Sequence, residues 1–277
     1  MIRMPAMKPS THVVAHFHPL SPAIVQPVWW LSKRWFKPRF YGLEHLDAKR
    51  PALYVGNHTI YGFDSPAFVL GVYQHKQIWL RGLADHFHFY FPIWRNTLQQ
   101  FGAFDGTRQA VHKLMQARQH ILIYPGGSRE VLKHKGEAYQ LFWKQRMGFI
   151  DLAIEHGYDI IPFAALGGEE TLDIVYDGND FKQSWLGKLA QKSGFSARFL
   201  RDGEFFFPIV TGYRHIPFLP KPKALAYQFM PRLTTQHKAI NASDDEKMAL
   251  RDYIQQQIEV GLHMLRQQDD TNLPAEK

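Results

Sequence analysis

From residue 51 onward, short apolar runs alternate with stretches of helical periodicity, and this alternation constrains the fold more than any other feature of the chain. Short apolar runs are typical of buried strands, and longer amphipathic stretches are typical of helices. The predicted strands and helices are, in order, Ala52–Val55, Ser65–Tyr73, Gln77–Leu80, Thr107–Gln119, Ile121–Tyr124, Gly148–His156, Ile160–Ala164 and Leu225–Phe229. This order predicts one α/β domain with a mostly parallel central sheet flanked by helices.

The two ends of the chain and one internal stretch depart from this rhythm. Residues 1–40 are predicted to be an N-terminal membrane-proximal segment, because aromatic and basic residues share 22–40 in an amphipathic pattern. Packing of the same segment on the core is the alternative. Residues 41–268 form the predicted domain, and 170–223 within it form an insertion or lid. A long helix is predicted over 244–268, followed by a polar tail at 269–277.

Composition excludes several kinds of site. The chain of 277 residues has no cysteine, which excludes disulfides, thiolate zinc sites and a cysteine nucleophile. Its net charge of +8 favours anionic partners such as phosphate-bearing molecules or an anionic membrane. We expect no nucleic-acid partner, because no basic-aromatic module accompanies the charge. Neither a secretory signal nor a simple transmembrane helix is expected.

The segment from Gly56 to Asp64 carries the main catalytic candidates. His58 and Asp64 are six positions apart, between the first predicted strand and a helix that starts at Ser65-Pro66. On one continuous helix that spacing is about 240° of rotation, so the two side chains would not face each other. A strand–loop–helix corner can bring them together, and Gly62 helps the chain turn. A carboxylate that holds one imidazole nitrogen leaves the other free to act as a general base.

A second segment follows the strand that contains Ile123. Gly126 and Gly127 expose backbone N–H groups at a helix start, which favours anions. Arg129 adds a planar fork for phosphate or carboxyl oxygens. An ordinary strand-to-helix turn is the alternative.

Four stretches, at Gly56–Asp64, Phe101–Arg108, Ile123–Glu130 and Ile160–Phe163, stand in an order that resembles the glycerolipid acyltransferase superfamily. The five residues between His58 and Asp64 and the Pro-Gly-Gly-Ser sequence at 125–128 are similar to one branch of it, the diacylglycerol acyltransferase-like and phytyl-ester-synthase-like proteins. The resemblance implies that His58 is the base and Asp64 its orienting partner.

The resemblance also implies residues that bind substrate. Gly102 and Arg108 match a glycine and an arginine that help to hold the acceptor, although Asp105 stands where the family usually has an aromatic residue. For that second motif, a turn followed by a helix-start charge is the alternative. The implied binding set is Asn57, Arg81, Gly102, Arg108, Gly126, Gly127, Ser128, Arg129, Glu130 and Pro162.

An acyltransferase of this kind moves a fatty acyl group from acyl-CoA or acyl carrier protein to a lipid alcohol. The resemblance favours a neutral acceptor such as a mono- or diacylglycerol or a long-chain alcohol. A lysophospholipid or glycerol 3-phosphate acceptor is the alternative. We expect no resident cofactor and no metal, and a cytoplasmic protein peripheral to the inner face of a membrane.

Three other functions remain open from the sequence. A serine hydrolase is one, although Gly126–Glu130 lacks the last glycine of a nucleophile elbow. A non-catalytic lipid-binding membrane protein is another, and it would need neither His58 nor Asp64. A metal site is the third, at His16/His18 or at His86/His88, but spaced histidines in a His-rich chain are usually surface residues.

Overall fold

The computed structural model describes residues 17, 19–192, 206–236 and 242–270. Its centre is a seven-stranded sheet. The strands are β1 (Arg39–Tyr41), β2 (Ala52–Gly56), β3 (Arg81–Ala84), β4 (Phe104–Asp105), β5 (Ile121–Ile123), β6 (Asp159–Leu166) and β9 (Ala226–Phe229). Their order across the sheet is β1-β9-β6-β2-β5-β3-β4. Every neighbouring pair is parallel except β6 with β9, which confirms the predicted α/β fold with a mostly parallel sheet.

Helices cover both faces of the sheet. They are α1 (Pro22–Phe36), α2 (Ser65–Lys76), α3 (Pro92–Gln100), α4 (Arg108–Gln116), α5 (Ser128–Val131), α6 (Gly148–His156), α7 (Gly178–Gln183), α8 (Trp185–Lys192) and α9 (Asp244–Asp270). The core on one face joins α4, α6 and α9, and the core on the other joins α1 and α2. Strand β2 feeds both cores, because successive side chains of a strand point to opposite faces. Leu53 and Val55 pack on the first, and Ala52 and Tyr54 on the second.

The predicted strand at Gln77–Leu80 is wrong in position. Gln77 ends α2 in a left-handed conformation with φ of 56°, and Ile78, Trp79 and Leu80 are buried without joining the sheet. Pairing begins one residue later, where the N–H of Arg81 donates to the carbonyl of His120. The apolar run reflects burial in the core rather than strand pairing.

In its described residues, the predicted insertion at 170–223 has elements that do not join the seven-stranded sheet. It contains a two-stranded antiparallel ribbon, β7 (Asp173–Tyr176) with β8 (Ile209–Thr211), and the short helices α7 and α8. Residues 193–205 of the insertion lie outside the described residues, as do 1–16 and 18 at the start and 271–277 of the predicted tail.

The amphipathic segment at the start of the chain is the helix α1, which packs against α2 through the buried Val25. Trp30 remains 67% exposed on the same helix. The packing alternative therefore holds for one face of α1, and membrane contact of the exposed face stays a prediction. Among the described residues, no helix has the length and apolar character needed to cross a bilayer.

Candidate active site

Three loops meet at one edge of the sheet. Strands β5, β2 and β6 pair in parallel, so their carboxyl ends lie side by side. His58 lies in the segment after β2, Glu130 in the segment after β5 and Glu169 in the segment after β6. Ligand sites of parallel sheets form at this edge, because the loops there converge while the strands stay fixed.

His58 presents one free ring nitrogen. Its Nδ1 lies 3.0 Å from the carbonyl oxygen of Thr59. A carbonyl can only accept, so Nδ1 carries the proton and Nε2 keeps its lone pair. Nε2 has no hydrogen-bonding partner among the described residues. The imidazole is therefore a fixed tautomer with its basic nitrogen available.

Asp64 does not hold the imidazole directly, which corrects the predicted contact. Its Oδ1 accepts a hydrogen bond from the hydroxyl of Thr59, and it makes no hydrogen bond or ion pair with His58 in the part of the chain described. Thr59 stands between the two: its carbonyl holds the ring, and its hydroxyl holds the carboxylate. Asp64 is only 4% exposed, so it braces the loop from inside.

Burial acts on the protonation of both groups. Desolvation lowers the pKa of His58 from 6.5 to about 4, and the nearby Lys133 ammonium adds to this while the Thr59 carbonyl opposes it. Desolvation raises the pKa of Asp64 from 3.8 to about 6, although the Thr59 hydroxyl opposes it. Between pH 6.5 and 4 the unfolded chain binds more protons at His58, so this group destabilises the fold as pH falls. Asp64 acts in the opposite sense between pH 6 and 3.8.

Gly62 is required by the packing of the imidazole. A Cβ at this position would lie 2.6 Å from the Cε1 of His58, and the φ of Gly62 is +64°. The ring also packs against the ring of Tyr124, with centroids 4.2 Å apart. The imidazole thus contacts both a glycine and a phenol.

Glu130 belongs to the predicted binding set, but the structure uses it to hold the backbone. It is fully buried, and its carboxylate accepts from the N–H of His58 at 2.8 Å and of Phe142 at 2.9 Å. A Cβ on Gly126 would lie 2.0 Å from its Cδ, so Gly126 must be glycine. Desolvation raises the pKa of Glu130, and the two N–H groups oppose that rise.

Lys133 and Glu169 complete the loop and carried no sequence signal that singled them out. The Nζ of Lys133 donates to the carbonyl of His58 at 2.7 Å and to Oε1 of Glu169. The other oxygen of Glu169 accepts from the N–H of Ile60 at 3.3 Å. Both side chains are buried. The one available signal was position, because Glu169 follows the carboxyl end of a buried strand.

Asn57 and Pro162 serve the sheet rather than an open site. The Asn57 side chain is buried and pairs with both backbone groups of Ala165, donating from Nδ2 at 2.9 Å and accepting at Oδ1 at 2.8 Å. Pro162 lies within β6, and its carbonyl accepts from the N–H of Met230. These contacts favour positioning roles over the predicted substrate contacts.

Arg81 and Gly102 form a second internal tie. Arg81 is 2% exposed, donates from Nε to the Gly102 carbonyl at 3.0 Å and packs its guanidinium 4.2 Å from the Phe17 ring centroid. Desolvation lowers the pKa of Arg81 to about 10. Gly102 has φ of +94°, and a Cβ there would meet the ring of Trp79. The groups of Arg81 and Gly102 that were predicted to contact substrate are thus used in contacts within the protein.

Arg108 bonds to residues of α4 and α6 instead of residues of the His58 loop. Its guanidinium donates to Glu155 and His112, each at 3.2 Å. These two residues and His156 are the one group among the described residues whose ligand atoms are close enough to hold a metal ion, within 4.8 Å of one another. The adjacent guanidinium competes with a cation there. His86 and His88 bond to Asp105 and Trp94, each to its own partner.

Arg129 is paired with a carboxylate instead of being free for phosphate. Its two terminal nitrogens donate to Glu137 at 2.8 and 2.5 Å. The N–H of Gly127 is also used, donating to the Tyr124 carbonyl at 3.0 Å. Ser128 starts the four-residue helix α5, and its side chain has no hydrogen bond among the described residues. Of the predicted anion donors, the Gly126 N–H is the one left without a partner in the described chain.

We expect Lys133→Met to destabilise the fold by about 3–5 kcal/mol, because it leaves the buried Glu169 carboxylate without its cation. Adding Glu169→Gln should recover part of the loss, since the charge is then removed. The measurement is the free energy of unfolding in urea. Lys135→Met, whose ammonium bonds to the solvent-facing Asp180, is the control and should be near neutral. A loss below about 1 kcal/mol for Lys133→Met would contradict a stabilising role for the buried ion pair of Lys133 and Glu169.

The chain is similar to known proteins over a range that includes this edge of the sheet. Phytyl ester synthase 2 of Arabidopsis thaliana is 33% identical over 79% of this chain and 32% of its own length. Phytyl ester synthase 1 of that plant is 31% identical over 50% of this chain and 21% of its own. The bovine "DGAT1/2-independent enzyme synthesizing storage lipids" is 31% identical over 52% and 45%. The chain thus spans less than half the length of these relatives.

The family model described as diacylglycerol acyltransferase matches residues 52–225. That range starts at β2, runs through the His58, Glu130 and Glu169 loops, and ends beside β9. It covers more than half of the chain, and the chain belongs to the diacylglycerol acyltransferase family.

Proposed function

We propose that this protein transfers a fatty acyl group from a thioester donor, acyl-CoA or acyl carrier protein, to a lipid alcohol. The observation that carries the proposal is the His58 imidazole, whose Nδ1 is fixed on a backbone carbonyl and whose Nε2 is unprotonated and free of described partners. The family and the named lipid-ester enzymes among its relatives support the reaction class.

In the proposed reaction, Nε2 of His58 accepts the proton of the acceptor hydroxyl while the oxygen attacks the thioester carbonyl. The tetrahedral intermediate collapses to the ester, and the leaving thiolate takes the proton back from the imidazolium to give the thiol. A base of pKa about 4 cannot hold a proton from a free alcohol, so proton transfer must accompany formation of the carbon–oxygen bond. The N–H of Gly126 is our proposed donor to the oxyanion.

Asp64 acts in this proposal through Thr59. It fixes the hydroxyl of the residue whose carbonyl holds Nδ1, so it positions the base instead of touching it. No resident cofactor is needed, because the thioester is itself the activated donor. We favour a neutral acceptor, a mono- or diacylglycerol or a long-chain alcohol. Arg108, predicted to hold the acceptor, and Arg129, predicted to bind phosphate or carboxyl oxygens, are already paired with carboxylates.

We expect His58→Ala to lower acyl transfer by roughly 10²–10⁴, the usual contribution of a general base. The assay uses labelled acyl-CoA with a panel of diacylglycerol, a long-chain alcohol and a lysophospholipid, and follows ester and free fatty acid separately. His263→Ala, on the exposed side of α9, is the matched control. A folded His58→Ala protein that retains most of its transfer activity would refute the assignment, and release of fatty acid without ester would indicate a hydrolase.

The pH profile gives a second test. Since burial places the pKa of His58 at about 4, kcat/KM should stay level well below pH 6.5 and decline only as pH approaches 4. Unfolding must be monitored over the same range to separate inactivation from loss of structure. A decline centred at the ordinary histidine value of 6.5 would show that the working base is solvated, contrary to the geometry of His58.

We also propose that the protein is cytoplasmic and peripheral on the inner face of a membrane. Two surfaces support this. On α1, Trp30 and Leu31 are 67% and 57% exposed beside Lys33 and Arg34. The helix α3 has no buried residue, and its Ile93 is 86% exposed. Exposed apolar side chains next to basic ones are typical of interfacial helices.

Replacing Trp30 and Leu31 together by serine should reduce flotation with anionic vesicles severalfold, because the apolar contact is lost while the charge remains. The double variant is compared with Tyr253→Ser, which alters an exposed aromatic residue on α9, across the sheet from α1. Equal flotation of wild type and double variant would remove α1 from the membrane contact.

A further inference from the structure

Two histidines that are close in the chain, His86 and His88, have partners of opposite character. The Nδ1 of His86 lies 2.7 Å from a carboxylate oxygen of Asp105, and a carboxylate favours the protonated form of the ring. His88 instead receives the indole N–H of Trp94, whose Nε1 lies 3.1 Å from its Nδ1. Neither histidine takes part in the reaction proposed above.

Trp94 determines which nitrogen of His88 carries the proton. An indole N–H can only donate, so Nδ1 of His88 accepts and Nε2 holds the hydrogen. Desolvation lowers the pKa of His88, although the charge of Asp85 opposes this, so the ring is neutral near neutral pH. Its Nε2 has no hydrogen-bonding partner within the described part of the chain. His88 therefore presents a neutral N–H donor that is not in use.

The segment that contains His88 lies at the same edge of the sheet as the His58 loop. It follows β3, which pairs in parallel with β5, and β5 pairs in parallel with β2. The short helical turn His86–Tyr90 comes directly after β3, and its Phe89 is buried. The two segments therefore leave the sheet in the same direction, on strands separated by β5 alone.

A chain of contacts connects the two segments above the sheet. The ring of Phe87 packs against the ring of Phe207, with centroids 6.1 Å apart. The carbonyl of the next residue, Pro208, accepts the hydroxyl of Tyr61, which belongs to the His58 loop, at 2.6 Å. Residues 207–208 thus contact both segments.

The two imidazoles lie close enough to interact electrostatically. The charge of a protonated His88 lowers the pKa of His58, and such an effect weakens with distance. No hydrogen bond joins the two rings in the described structure. A basic nitrogen on one ring and an N–H donor on the other are therefore neighbours, and neither is used by the other.

We propose that His88 is a further catalytic residue, whose Nε2–H donates to the carbonyl oxygen of the acyl donor. The inference rests on the proposed function and adds a side-chain donor to the N–H of Gly126. As the alcohol oxygen attacks, negative charge develops on the carbonyl oxygen, and a donor already in place stabilises it. A neutral imidazole does this without transferring its own proton. The attacking oxygen is the poorer recipient, because a donor there would weaken the nucleophile.

We expect His88→Ala to lower kcat for acyl transfer roughly 10²-fold and to leave the KM of the alcohol nearly unchanged, because the donor acts on charge in the transition state. His88→Gln, whose amide carries an N–H near the position of Nε2, should recover roughly tenfold of that loss. His86→Ala, which alters the exposed partner of Asp105, is the matched control and should transfer like wild type. Melting temperatures of all three variants are measured alongside.

Two kinetic results would overturn the inference. One is a His88→Ala protein that keeps the wild-type kcat while His58→Ala loses it, which would leave the proposed function standing without His88. The other is a raised KM for the alcohol at unchanged kcat, which would place His88 on the acceptor instead of the carbonyl oxygen.

A measurement without substrate tests the same donor even if His88→Ala fails to fold. Long-range proton–nitrogen correlation NMR of the wild type near neutral pH should show the His88 ring neutral, with its hydrogen on Nε2. A protonated ring, or a hydrogen on Nδ1, would contradict the proposed role.

Discussion

The buried ammonium of Lys133 joins the loop after β2 to the loop after β6. It donates to the His58 carbonyl and to Glu169, and Glu169 in turn receives the N–H of Ile60. Removing two charges from water is costly, and the cost is met only when each partner makes good hydrogen bonds. These contacts favour the observed arrangement of the loop after β2, which contains His58.

In the same loop, three groups fix His58: the Glu130 and Lys133 side chains hold its backbone, and the Thr59 carbonyl holds its ring. Glu130 accepts from the His58 N–H, and Lys133 donates to its carbonyl. A carboxylate placed directly on the imidazole would favour its protonated form, whereas this environment lowers the pKa of the ring. Asp64 acts on the imidazole indirectly, by holding the hydroxyl of Thr59. The arrangement keeps the imidazole neutral and ready to accept a proton at any pH near neutrality.

Many residues of the predicted binding set proved to be residues that build the site. The side chains of Arg81, Arg129 and Asn57 each donate hydrogen bonds to other groups of the protein. Motif residues can be needed for shape as well as for substrate contact, and sequence alone does not separate the two.

The sequence alone determined the α/β class and four of the five predicted strands to within two residues. These depend on local periodicity and on the order of elements, which are read along the chain. Only the tertiary structure decided the partners. Lys133 meets Glu169 across 36 positions, and Arg108 meets Glu155 across 47. Such pairs are set by the crossing of loops and helices above a folded sheet, and no local pattern encodes which distant charge each one meets.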